Sequence, residues 1–249
     1  MIKICTFILI MNNLILGDEE PFKLFKKGNQ AMIDGNYNYA IEYYEAIIAN
    51  GYENNDLYYN LGNAYFRINS IGLAQWAYSK ALSISPRDGD ILHNLAVTQA
   101  RQIDRIKMPE TFVLLKLYRN LKKYLSLKEF LFFGSVIFLF QSFFFLLHKT
   151  GNFNGIFYKY IMGFLFILVI VIHGTLADKY YQNKKYNFGV IIHNNVKAYS
   201  NPFNSNSLLL FQLNEGAFVQ IDETQSNMYE ILLIDGKKGW VPTDAVRNL

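Results

Sequence analysis

The stretch LYYNLGNAYFRINSIGLAQWAYSKALSISP, residues 57–86, decides the fold of the N-terminal half of this 249-residue chain. Its apolar residues recur at helical spacing, and Asn69-Ser70 interrupts them with a turn signal. The preceding residues carry the same pattern 34 positions earlier, with Leu24, Gly28, Ala40 and Tyr44 aligning on Tyr58, Gly62, Ala74 and Tyr78. The sequence therefore predicts a repeated helix–turn–helix unit.

A helix–turn–helix unit of 34 residues has the period of the tetratricopeptide repeat. Packing explains the pattern: small residues let paired helices cross closely, tyrosines fill the space beside them, and a proline ends the second helix. The signature positions are Gly28, Ala40, Tyr44, Tyr58, Leu61, Gly62, Tyr65, Ala74, Tyr78, Ala81 and Pro86. We predict an all-α tetratricopeptide solenoid over residues 18–102, with two repeats and a closing helix.

Four asparagines fall on or near the predicted concave face of this repeat, namely Asn29, Asn60, Asn63 and Asn94. An amide both donates and accepts hydrogen bonds, so it can bind the backbone of an extended peptide. Tetratricopeptide domains that clamp a C-terminal carboxylate add basic residues, but the matching positions here hold Phe25, Asp90 and Asn94. We predict protein binding without such a clamp. The alternative is that these asparagines only cap helices or face solvent.

Two apolar segments follow the repeat. Phe130–Leu147 and Ile161–Ala177 contain no Asp, Glu, Lys or Arg, and each is just long enough to cross a hydrocarbon core of about 30 Å. Tyrosines flank the second segment, as interfacial aromatics do. We predict transmembrane helices over 129–147 and 158–177, joined as a hairpin; two buried helices of a globular core are the alternative.

The N-terminal segment, residues 1–17, has a basic residue near its start and a short apolar run, and acidic residues follow it. This pattern predicts a signal peptide or an uncleaved anchor, and a buried first helix is the alternative. Cys5 is the single cysteine, which excludes a disulfide scaffold and any multi-cysteine metal site.

A basic amphipathic linker over 103–128 joins the repeat to the first apolar segment. It is predicted either to lie among lipid headgroups or to pack against the repeat. The positive-inside rule would place its basic residues in the cytoplasm, whereas the N-terminal signal places the repeat outside. We favour the signal, and hence a bacterial inner membrane with both terminal modules on its external, periplasmic side.

Short β-rich runs separated by turn signals begin at Phe188. The ending DGKKGWVPTDAV resembles the last strands of bacterial SH3-like barrels, so we predict an all-β SH3-like domain over 188–249. An aromatic groove for peptides would be formed by Tyr199, Phe203, Tyr229 and Trp240. The alternative is that Trp240 is a core residue.

LFKKGNQAMIDGNYNYAIEYYEAI and the stretch from Leu57 to Ala96 closely resemble the tetratricopeptide protein of the bacterial aerotolerance operon, the BatE type. The resemblance extends over nearly the whole chain, including the hairpin and the barrel. It implies a non-enzymatic adaptor in a cell-envelope complex linked to oxidative stress. It also implies membrane proteins with von Willebrand A domains as partners.

Other chemistry has little support in the sequence. The four histidines lack metal-ligand spacing, no phosphate loop or nucleophile motif occurs, and the net charge of +4 is mild. We therefore expect no enzyme activity, no cofactor, no metal and no nucleic-acid partner. Two functions remain: a scaffold that binds proteins through its repeats, and an envelope protein that binds peptidoglycan through its SH3-like domain.

Overall fold

A computed structural model of the chain describes residues 19–104, 113–151, 155–185, 187–202 and 207–249. The predicted signal segment, residues 105–112 of the basic linker, and Phe203 lie outside these ranges. The described helices are α1 (Glu19–Ile33), α2 (Tyr37–Ala49), α3 (Asn55–Arg67), α4 (Ile71–Ile84), α5 (Gly89–Ala100), α6 (Val113–Tyr124), α7 (Leu127–Lys149) and α8 (Ile156–Lys185). The described strands are β1 (Asn187–Ile191), β2 (Val196–Tyr199), β3 (Leu209–Leu213), β4 (Phe218–Gln225), β5 (Met228–Leu233), β6 (Lys238–Pro242) and β7 (Val246–Asn248). The predicted order of helices, two long apolar helices and C-terminal strands is confirmed.

Local signals mark several of the ends of the first five helices. The Asn54 side chain caps α3 by accepting a hydrogen bond from the Leu57 backbone N–H at 2.7 Å. Between paired helices the chain turns through Gly35 (φ 75°) and Asn69 (φ 61°), which are one 34-residue period apart. A left-handed backbone favours glycine or asparagine, so the same turn recurs with different residues.

The paired helices α1–α2 and α3–α4 approach closely at two glycines. A Cβ on Gly28 would lie 2.5 Å from Cε1 of Tyr44, and a Cβ on Gly62 would lie 2.7 Å from Cδ1 of Tyr78. Both tyrosines are fully buried in the helical core. The glycines therefore leave the space that the tyrosine rings occupy, and the same packing unit occurs twice.

Helices α7 and α8 pack against each other and are the two described helices long and apolar enough to cross a membrane, by length and composition. Each has a mean hydropathy of 2.3 over its most apolar window, and little of that window is buried. The side chain and backbone of Ser126 and Glu129 form a capping box that starts α7 two residues before the predicted span. Gly134 of α7 faces the His173 ring of α8.

The described part of the basic linker contacts the second apolar helix. The Tyr118 hydroxyl donates a hydrogen bond to Asp178 Oδ2 at 2.6 Å, and Lys122 forms an ion pair with the same oxygen at 2.7 Å. Burial, and then the bond to Asp178, raise the pKa of Tyr118 to about 12. Separately, Arg87 before α5 forms an ion pair with Glu129 of α7. These contacts attach the first five helices and α6 to the apolar pair.

The seven strands form one antiparallel sheet in the order β3-β2-β6-β5-β4-β1-β7. Alternate residues point to opposite faces of a strand, so each strand contributes one set of side chains to the sheet core. The core of the sheet is built around Ile191, Ala198, Ile231 and Val241, which are all fully buried. Strand β1 serves two cores, because Val190 packs into the helical core while Ile191 packs into the sheet core.

The sheet is joined to the helices by a cluster of residues centred on Trp76 of α4. The Trp76 indole N–H donates a hydrogen bond to the Asn248 carbonyl oxygen at 2.6 Å. The Arg247 guanidinium lies 3.8 Å from the centre of the Trp76 ring and binds both carboxylate oxygens of Glu45, at 2.8 and 2.7 Å. Both bonds to Glu45 come from Nη2 of Arg247, so the pair contributes charge-assisted hydrogen bonds as well as the cation–π contact with Trp76. We name this contact the Trp76 interface.

Backbone groups of the β3–β4 turn complete the Trp76 interface. Gln75 and Gln102 both donate hydrogen bonds to the Gly216 carbonyl oxygen at 2.8 Å. The Asp104 carboxylate accepts from the backbone N–H of Asn214 at 2.5 Å and from its side-chain amide at 3.1 Å. The interface therefore satisfies turn groups that the sheet itself leaves unpaired.

Candidate functional site

The four predicted asparagines lie on α1, α3 and α5 and bond to one another in two pairs. Asn60 Nδ2 donates to Asn29 Oδ1 at 3.1 Å, and Asn94 Nδ2 donates to Asn63 Oδ1 at 3.0 Å. Both pairs span 31 residues, so the same contact recurs in successive repeat units. We name the side of the repeat formed by α1, α3 and α5 the asparagine face.

Buried tyrosines from α2 and α4 support the asparagine face from beneath. The Tyr44 hydroxyl donates to Asn29 Oδ1 at 2.6 Å, and the Tyr78 hydroxyl donates to Asn63 Oδ1 at 2.7 Å. Burial raises the pKa of Tyr44 to about 12, so this hydroxyl stays protonated and remains a donor at physiological pH. The two bonds accepted by each oxygen fix the rotation of the amide, and thereby which atoms it presents to a ligand.

A pocket of about 310 Å³ opens on the asparagine face where α1, α3 and α5 meet. Its lining residues are Met32, Asn63, Phe66, Arg67, Tyr78, Asn94 and Val97. Met32, Phe66 and Val97 supply apolar walls, while the amides and the tyrosine supply polar groups. Such a mixture of apolar area and a few fixed polar groups is typical of binding sites.

The pocket also has a positive charge, which the pattern of asparagines does not predict. Arg67 lines it, and the Arg101 guanidinium lies 4.2 Å from the centre of the Phe66 ring, which forms one wall. The charge of Arg67 also acts on Tyr78, another lining residue: burial raises the pKa of the Tyr78 hydroxyl, and the positive charge of Arg67 opposes that rise. Arg67 ends α3 and Arg101 directly follows α5, and the two arginines are one 34-residue period apart, so aligning the repeats places them at equivalent positions.

The predicted signature residues are buried in the helical core, except Pro86, which is partly buried. Two of the buried tyrosines bond to glutamates. The Tyr58 hydroxyl donates to Glu53 at 2.8 Å, and the Tyr65 hydroxyl donates to Glu45, the partner of Arg247, at 2.6 Å. Tyr65 therefore connects the helical core to the Trp76 interface.

Of the aromatic residues predicted to form a groove in the sheet, the three that the structure describes lie on two faces. Tyr199 and Trp240 are directly opposed on β2 and β6, so they share a face. Tyr229 is opposed to the buried Val241 and packs against the sheet core, which places it on the other face. Trp240 itself is only 8% exposed.

Among the residues that the structure describes, no group of three or more His, Cys, Asp or Glu side chains is arranged to hold a metal ion. No model of a known protein family matches this chain, and no curated protein matches it.

Proposed function

We propose that this chain is a non-enzymatic, membrane-anchored adaptor that binds an extended segment of a partner protein on the asparagine face. The pocket between α1, α3 and α5 is the observation that carries the proposal. It combines apolar walls, amides held in fixed orientations and a positive charge. These groups can bind peptide backbone and side chains together, and they include no nucleophile paired with a base.

The helical part is proposed to be a tetratricopeptide solenoid and the sheet an SH3-like domain. The repeated Gly28–Tyr44 and Gly62–Tyr78 contacts support the solenoid, because the same packing unit recurs at the tetratricopeptide period. The short antiparallel strands and the Asp235-Gly236 turn support the SH3-like assignment.

We further propose that α7 and α8 cross the bacterial inner membrane as a hairpin. The Trp76 interface supports this topology, because residues before α7 bond directly to residues after α8. A hydrogen-bonded protein interface cannot form through a lipid core, so both modules belong on one side. The basic start and apolar run of residues 1–17 favour the external side.

The proposed partners are membrane proteins with von Willebrand A domains, in a complex linked to aerotolerance and oxidative stress. The support for this choice is the motif resemblance in the repeats. The Tyr199–Trp240 pair favours a second candidate function, the binding of peptidoglycan peptides by the sheet. The burial of Trp240 leaves little of that pair for a ligand, so we prefer the first function.

Site-specific photo-crosslinking in bacterial cells tests the proposal. A photoreactive amino acid replaces Val97, which lines the pocket and is 37% exposed, or Leu92, which is 41% exposed on the same helix and does not line it. We expect an adduct with a von Willebrand A protein at position 97 and none at position 92. Equal adducts at both positions, or none at position 97, would contradict the proposal. Adducts with wall peptides from position 199 would favour the second function.

A further inference from the structure

The charges around the pocket on the asparagine face are unbalanced. None of its seven lining residues is acidic, and Arg67 is one of them. Among the described residues, neither Arg67 nor Arg101 has a carboxylate within ion-pair distance; their recorded contacts are with the rings of Tyr37 and Phe66. The pocket therefore presents positive charge that no described carboxylate neutralises.

Three other cations form ion pairs with residues of the helices. Arg247 binds Glu45, Arg87 binds Glu129, and Lys122 binds Asp178. Each of these pairs joins two parts of the fold, so arginine and lysine act there as structural links. Arg67 forms no such ion pair. It is the last residue of α3, and its side chain lines the pocket.

Hydrogen-bond donors are also available beside Arg67. Asn63 uses its oxygen to accept from Tyr78 and Asn94, which leaves its Nδ2 without a partner among the described residues. No described side-chain nitrogen or oxygen is both buried and unpaired, so this amide nitrogen is not fully buried. An arginine fork and an amide N–H together match the acceptor-only oxygens of a carboxylate.

We propose that this pocket binds a carboxylate group of the partner segment, next to an apolar side chain that contacts Met32, Phe66 and Val97. This inference rests on the proposed function and specifies the chemistry that the asparagine face recognises. Arg67 occupies none of the positions at which the C-terminal clamp carries basic residues, so the proposed site is distinct from that clamp. Arg67 supplies the charge and Asn63 a second donor, while Arg101 increases the positive potential at the rim. Because Arg67 is exposed, the interaction weakens as salt is added.

Affinity selection with defined peptides tests the proposal. The full chain in nanodiscs of zwitterionic lipid is mixed with a pool of random hexapeptides, and the bound peptides are identified by mass spectrometry. The pool is made with free and with amidated C-termini, which separates side-chain from terminal carboxylates. We expect the wild type to enrich peptides that carry a carboxylate beside an apolar residue by about tenfold, the range of a charge-assisted hydrogen bond.

Arg67→Glu and Arg67→Gln should both lose this enrichment. Arg119→Glu is the matched control, because it removes an exposed arginine of α6, away from the pocket, and should retain the enrichment. Enrichment without a preference for carboxylates, or a preference that survives both Arg67 variants, would overturn the inference while leaving the proposed function standing. No enrichment of any peptide would overturn both.

Discussion

Gly72→Ala should separate the sheet from the helices and destabilise the protein by about 1–3 kcal/mol, the usual cost of overpacking a tight site. A Cβ at this position would lie 2.5 Å from the Ile191 carbonyl oxygen and 2.9 Å from the Ile192 Cα. Both are backbone atoms, so no side-chain rotation relieves the contact. The Gly72 backbone N–H also donates to Glu215 at 2.9 Å, and that bond would be lost if the helix moved away.

Gly89→Ala is the matched control, since an added Cβ there meets nothing within 4 Å. Alanine in the first turn of α5 should leave stability unchanged or raise it by up to about 1 kcal/mol. Urea unfolding followed by tryptophan fluorescence, together with limited proteolysis of the detergent-solubilised chain, measures both effects. If the two variants unfold at the same urea concentration, the close approach of Gly72 to β1 is wrong.

Trp76→Ala should cost about 3–5 kcal/mol, the range for removing a buried large aromatic side chain. The Trp76 ring is buried between Arg247, at 3.8 Å from its centre, and Tyr58, whose ring centre is 5.7 Å away in an edge-to-face arrangement. Loss of the Trp76 ring removes its contacts with the helical core and its contacts with the sheet together. The Asn248 carbonyl oxygen also loses its donor.

Trp76→Phe separates these contributions. Phenylalanine keeps most of the aromatic contact but cannot donate to Asn248, so we expect a loss of about 1 kcal/mol from the hydrogen bond, plus a smaller packing term. Thermal unfolding followed by circular dichroism compares the two variants with the wild type. Equal stabilities of the alanine and phenylalanine variants would show that the ring does not hold the interface together.

The elements of this fold could be predicted from the sequence because each has a strong local signal. The 34-residue period predicts the paired helices, the uncharged segments predict α7 and α8, and the short β-rich runs with turn signals such as Asp235-Gly236 predict the strands. The Gly62–Tyr78 contact follows from the same period, because a small residue and a large one recur at fixed spacing.

The Trp76 interface has no local signal. Arg247 and Glu45 are 202 residues apart, and nothing in either neighbourhood marks the other as its partner. The sequence also does not predict on which face of the sheet Tyr229 lies, because this depends on the register of β5 against β6. The sequence predicts the four asparagines on one face, but it does not predict that Asn29 and Asn63 each accept a hydrogen bond from a tyrosine.

In the proposed topology the two modules, joined through the Trp76 interface and anchored by one hairpin, lie together on the external side of the membrane. Single cysteines at Ser83 and Thr224, both exposed, test it in a Cys5→Ser background. Intact spheroplasts are treated with a membrane-impermeant maleimide, and labelling is compared before and after lysis. We predict full labelling of both positions before lysis. Labelling of only one position before lysis would contradict the shared side, and labelling of both only after lysis would contradict the external placement.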